Sequence, residues 1–131
     1  MKYILDTNVL LWYTHDEEQL SSKIVNTIEN SKNTICISTV SLWEIALKNS
    51  LHKLELKESI HELIEEVKQS TIEILDIDVD YYKKIKELPQ HHKDPFDRLI
   101  IITAMEEDCI IITPDHEIHK YDVVTVWDEL S

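Results

Sequence analysis

The stretch "HHKDPFDRLIIITA", residues 91–104, places two carboxylates, Asp94 and Asp97, three residues apart at the head of an apolar run. His91, His92 and Lys93 precede them, and Arg98, the chain's only arginine, follows. Two more acids abut apolar strands, Asp6 closing "KYILD" and Asp115 following "CIIIT", and Glu44 lies within the helical segment "SLWEI". A carboxylate beside long apolar strands is partly desolvated, and several together raise one another's pKa. A divalent cation relieves that repulsion. Oxygen ligands with no thiolate nearby point to Mg²⁺ or Mn²⁺. Such an ion polarises a phosphoryl oxygen and lowers the pKa of water.

Each acid also has a purely architectural use. Asp94 can be an N-cap with Pro95 at the first helical position and Asp97 at N3. Asp6 can cap a helix starting at Thr7, Glu44 can pair with Lys48 at i+4, and Asp115 can cap the turn that follows it. Capping and metal binding are compatible, because a carboxylate has two oxygens. Zinc is disfavoured: the pairs His91–His92 and His116–His119 match no zinc-ligand spacing. Cys36 and Cys109 sit in the apolar runs "TICIS" and "CIIIT". They read as small core residues of a reduced, cytoplasmic protein.

These residues need elements to position them. "KYILD", "TICIS", "TIEIL", "CIIIT" and "VVTVW" read as strands. "TNVLLWYTH", "EEQLSSKIVNTIENS", "TVSLWEIALKNS", "ELKESIHELIEEVKQS", "VDYYKKIKEL" and "PFDRLIIITAMEED" read as helices, and "DHEIHK" as a turn or short helix. Ser41 is a plausible N-cap for the third of these helices, and Pro89 stops the fifth. Strands alternate with helices, so the expected fold is one α/β domain over residues 1–131 around a mostly parallel sheet. In such sheets ligands bind outside the carboxyl ends of the strands. Asp6, Asp115 and Thr113 follow strands, while Asp94 and Asp97 head the helix leading into the fourth.

Composition narrows the function. The 131 residues contain no glycine, so no glycine-rich phosphate loop exists. A net charge of −13 argues against a long basic groove for nucleic acid. Metal ions can still supply positive charge locally. No signal peptide or membrane span is expected. One competing reading is a receiver-type signalling domain with Mg²⁺ in an acidic pocket, Asp76 as phosphoacceptor and Thr113 as switch hydroxyl. Against it, no acid is paired with Asp6 in the first strand and no lysine ends the fifth.

The segments "ILDTNVLLW", "STVSLWEIALKNSLHKLEL", "HHKDPFDRLIIITA" and "CIIITPD", in that order, resemble PIN-domain ribonucleases, most closely the VapC-type toxins of toxin–antitoxin pairs. The resemblance spans essentially the whole chain. It implies a PIN-like three-layer domain with a five-stranded, mostly parallel sheet flanked by helices. It also implies a metal-dependent endoribonuclease whose site acids are Asp6, Glu44, Asp97 and Asp115, with Asp94 as an additional acid. Thr7 and Asn8 would support Asp6, and Thr113 would stand beside Asp115. Lys48 and Arg98 are candidate phosphate contacts, and His92 a substrate or supporting contact. The implied partners are RNA, with transfer RNA a family-level expectation, a cognate antitoxin and a second copy of the chain. One departure is His52, where relatives often carry glycine.

Overall fold

A computed structural model describes residues 1–131. The elements run β1 (Lys2–Leu5), α1 (Thr7–His15), α2 (Ser22–Glu29), β2 (Thr34–Ser38), α3 (Thr39–Ser50), α4 (Ile60–Gln69), β3 (Glu73–Leu75), α5 (Pro95–Glu107), β4 (Ile110–Ile112) and β5 (Thr125–Val126). All neighbouring strands pair parallel, in the order β3-β2-β1-β4-β5. Strand alternation sends Tyr3, Leu5, Ile35, Ile37 and Ile112 to one face, where they pack with α1, α2, α3 and α4. Ile4, Cys36 and Ile111 go to the other face and pack against Ile100, Ile101 and Ala104 of α5. The result is three layers, with the strands apolar on both faces as buried parallel strands must be. No helix is long and apolar enough to cross a membrane.

The strand order reverses between β1 and β4, so the crevice at a topological switch point opens at Asp6 and Thr113. The same order overturns the receiver reading. A receiver sheet runs 2-1-3-4-5, with its third strand central. Here β3 is an edge strand, and Asp76 after it is exposed.

Several local expectations are corrected. The expected helix over 17–31 is broken: Glu17–Gln19 form a 3₁₀ turn, and Ser21 caps a new helix by accepting from the Ile24 amide at 3.1 Å. The N-cap of α3 is Ser38, which accepts from Val40 N, so Ser41 is left for another task. Glu55–Glu58 are not helical, because Ser59 caps α4. The expected helix over 79–88 is a 3₁₀ segment, Val79–Lys84, followed by turns. Its later carbonyls, those of Ile85 and Leu88, turn toward Arg98 instead of completing a helical ladder. The fifth strand keeps only two residues, matching the two of β4 that it pairs with.

A chain without glycine must place other residues in the left-handed region. His52 (φ 58°) and Asp108 (φ 55°) do so, each just past a helix end. At His52, Lys53 N donates to Lys48 O and His52 N to Asn49 O, which is a Schellman closure normally given to glycine. His and Asp are among the side chains that enter this region more readily than most.

Candidate active site

Asp6 is placed by β1 and caps α1, its Oδ1 accepting from Asn8 N at 3.0 Å. Its Oδ2 accepts from Thr113 Oγ1 at 2.5 Å, reaching from the end of β4. Thr113 Oγ1 in turn accepts from Asp115 N at 3.0 Å. One hydroxyl therefore couples the loop after β4 to the acid after β1. Only 6% of Asp6 is exposed, and burial pushes its carboxyl above the usual range. The hydrogen bonds from Thr113 and Asn8 pull it down, while the charges of Asp115 and Glu44 add to the rise.

Glu44 projects from α3 and is likewise 6% exposed. Its Oε1 accepts from Thr7 Oγ1 at 2.9 Å, and its Oε2 from Lys48 Nζ at 2.5 Å. The sequence resemblance implied that Thr7 supports Asp6; it is instead a partner of Glu44. Its hydroxyl also lies 2.8 Å from Ser41 Oγ, a buried residue that sequence reasoning had assigned only to capping. The clue was spacing: Ser41 and Glu44 stand at i, i+3 and so share a helix face.

The third acid group hangs on the start of α5. Asp94 caps that helix, its Oδ1 accepting from Phe96 N at 2.8 Å and Asp97 N at 3.2 Å. Asp97 sits in the first turn, where the helix dipole favours an anion. Burial nevertheless raises its carboxyl to about 7, with Asp6, Asp94 and Glu44 adding repulsion and His92 opposing them. His92 Nε2 lies 3.1 Å from Asp97 Oδ2 and 2.8 Å from Asp115 Oδ2. Burial disfavours a charged imidazole there, but the bond to Asp115 and the charges of Asp97, Asp115 and Asp94 outweigh it, and the pKa is raised. Asp115 Oδ1 accepts from Glu117 N at 2.9 Å.

The five acids Asp6, Glu44, Asp94, Asp97 and Asp115 therefore converge from four elements and act on one another's charge. The two nearest cations do not play alike. Lys48 is half-exposed, pairs with Glu44, and its pKa is raised first by that hydrogen bond. Arg98 is corrected from its role as a phosphate contact. It is 6% exposed and donates to the carbonyls of Ile85, Leu88, Pro89 and His92 and to Tyr121 Oη. Its guanidinium faces inward and shapes the segment carrying His92. Tyr121 is a further residue missed in the sequence; its hydroxyl also accepts from His92 N at 2.7 Å.

The donor set fits a hard divalent cation. Five carboxylates crowd a site with one accessible lysine and one histidine, and burial together with that crowding raises two of the carboxyls. A cavity of ≈ 170 Å³ lined by Thr7, Asn8, Glu44 and Lys48 opens at the cluster, and Asn8 and Leu54 also line a neighbouring cleft of ≈ 530 Å³ that runs past Trp12 and His15 and touches none of the five acids.

Known proteins share this architecture. Ribonuclease VapC22 of Mycobacterium tuberculosis is 24% identical over 128 residues, covering 95% of this chain and 97% of that protein. Among solved structures, VapBC2 from Rickettsia felis bound to a DNA fragment from its promoter superposes with a TM-score of 0.73 at 21% identity, covering 96% of this chain and 98% of that one. VapBC-1 from nontypeable Haemophilus influenzae gives 0.70 at 16% identity, with coverages of 96% and 97%. The PIN domain family model matches residues 3–124. With that match spanning nearly the whole chain, and with the fold and the acid cluster in agreement, this chain belongs to the PIN domain family.

Proposed function

We propose that this chain is a metal-dependent endoribonuclease, the toxin of a toxin–antitoxin pair, built as a single domain over residues 1–131. The observation that carries the reading is the convergence of Asp6, Glu44, Asp94, Asp97 and Asp115 at the sheet's switch point, with Asp97 raised to about 7. Family membership and the name of the relative ribonuclease VapC22 support the substrate class. These acids would hold one or two Mg²⁺ or Mn²⁺ ions. When bound, such an ion polarises the phosphodiester, activates water and stabilises charge on the leaving oxygen.

The chain's own residues do the rest. Thr113 and Asn8 N fix both oxygens of Asp6, and Thr7 and Lys48 fix both of Glu44. Asp94 holds the α5 start, so Asp97 projects from a rigid first turn. Lys48 is the cation free enough to meet a phosphate as well as Glu44, since 44% of its side chain is exposed. No side-chain nucleophile is required.

The antitoxin partner is supported by structural relatives that are VapBC complexes, and the cleft running from Asn8 past Trp12 to Leu54 and Leu56, beside the acid cluster, offers it a seat. A second copy of the chain is supported by Trp43, Leu47 and Leu51, an exposed apolar stripe at i, i+4, i+8 on and just beyond α3. Two free, buried cysteines suit a reducing cytoplasm.

The test is RNA cleavage by purified protein with Mg²⁺ or Mn²⁺, in EDTA, and with Asp6→Asn. Cleavage that requires the ion and disappears in a folded Asp6→Asn variant is the expected result. Cleavage persisting in EDTA or in that variant contradicts it.

A further inference from the structure

Ligand-type atoms of His92, Asp97 and Asp115 all lie within 4.8 Å of one another, so the imidazole is at first sight a metal ligand. Its hydrogen bonds argue otherwise. His92 Nδ1 is 3.0 Å from Asp94 N, a backbone amide that can only donate. Nδ1 therefore carries a lone pair, and the proton of the neutral ring resides on Nε2. Nε2 faces two carboxylate oxygens, Asp115 Oδ2 at 2.8 Å and Asp97 Oδ2 at 3.1 Å, which accept. Both ring nitrogens are satisfied in this one tautomer.

A ligating histidine has the reverse arrangement. Its lone pair points at the ion and its other N–H is given to a carboxylate, carbonyl or water. For His92 that tautomer would set an Nδ1–H against the Asp94 N–H, donor against donor. The main chain of His92 is also pinned, its N donating to Tyr121 Oη at 2.7 Å and its O accepting from Arg98 at 3.2 Å. Buried Arg98 thus serves the site indirectly, by holding the residue that holds the acids.

We propose that His92 is a positioning residue and not a ligand: its Nε2–H ties Asp97 on α5 to Asp115 after β4, fixing both carboxylates for the cation. The proposal rests on the divalent-cation reading of the acid cluster. It assigns His92 a role that depends on one donated hydrogen and on the Asp94 amide that sets its tautomer.

Three measurements test it. Long-range proton–nitrogen NMR of the unsubstituted protein, with His92→Gln identifying the signals, reads the tautomer. At a pH above the ring's raised pKa, it should show protonated Nε2 and bare Nδ1 both without Mg²⁺ and at saturating Mg²⁺. Pulsed EPR of the Mn²⁺-loaded protein should show no directly bound imidazole nitrogen. Mn²⁺ affinity should fall about 10–100-fold in His92→Phe. His92→Gln, which keeps an N–H donor, should recover most of it. A switch to protonated Nδ1 on adding Mg²⁺, a directly bound nitrogen, or unchanged affinity in His92→Phe would each overturn the assignment. Failure of the unsubstituted protein to bind either ion would overturn the cation reading itself, and this assignment with it. Tautomer and EPR signature are read on the native chain, so a misfolded variant does not shield the proposal.

Discussion

The Asp6–Glu44 half of the acid cluster and the Asp97–Asp115 half solve the same problem differently. In the first, all four carboxylate oxygens have a donor, supplied by two threonine hydroxyls, a backbone amide and Lys48. In the second, one imidazole serves two acids, and Asp97 is left with a carboxyl raised to about 7. Hydrogen bonds can shape a carboxylate but only partly offset its desolvation, which is why Asp6 is raised as well. The fold is complete at one half and strained at the other. The first half is pre-assembled by donors already in place, two of them from distant segments. The second, at the α5 start, holds the charge that an added cation would change most.

Asp97→Asn should have the largest effect. RNA cleavage should fall by about 10²–10³-fold or more, the scale of losing one electrostatic contribution to a transition state. The metal-free variant should nevertheless melt higher than the native chain at pH 8, because a strained buried charge is gone. Lower activity with a lower melting temperature would mean Asp97 is a stabilising cap and not a strained site acid.

Next in size is Arg98→Leu. It strips a donor from four carbonyls and a tyrosine hydroxyl, and buried unsatisfied groups cost about 1–3 kcal/mol each. Urea unfolding should show a loss of about 3–5 kcal/mol, allowing for partial rehydration of the loop. A loss below about 1 kcal/mol, the scale of an exposed charge, would contradict a buried structural role for Arg98.

A smaller effect follows pH. Asp97 has a folded-state pKa of about 7 against an ordinary 3.8, so the folded chain binds more protons and its stability falls as pH rises between those values. Asp6 is raised too and acts in the same direction. The metal-free melting temperature should drop from pH 5 to pH 8, and Mg²⁺ should raise it more at pH 8. Equal Mg²⁺ shifts at the two pH values would contradict the strained second half. The smallest effect is that of Lys48→Ala on stability. Lys48 is half-exposed but its partner Glu44 is buried, so losing one of the two donors to that carboxylate should cost about 1–2 kcal/mol in urea unfolding, less than Arg98→Leu.

What the sequence disclosed follows the range of the interactions. Asp94-Pro95 before an apolar run announced α5 and its cap, because capping is local. Asp6 and Asp115 were legible because each follows an apolar strand, and a parallel sheet gathers strand ends at one edge. Less legible were contacts between segments far apart in the chain. Thr7 reaches Glu44 rather than its neighbour Asp6, a choice made by how α1 packs on α3. Arg98 looked available because it adjoins Asp97, yet helical geometry turns it away, toward carbonyls of a segment expected to be helical. The single helix expected over 17–31 hid a cap at Ser21 whose hydroxyl also donates to Leu130 O, near the other end of the chain.

The central claim is that these acids form one cation site. Titration calorimetry with Mg²⁺ at pH 8 tests it most directly, on the native chain, Asp6→Asn and Asp97→Asn. Saturable binding in the native chain, weakened at least about tenfold by either substitution from the two halves, is the predicted result. No saturable binding, or a substitution in one half that leaves affinity untouched, would contradict a shared site.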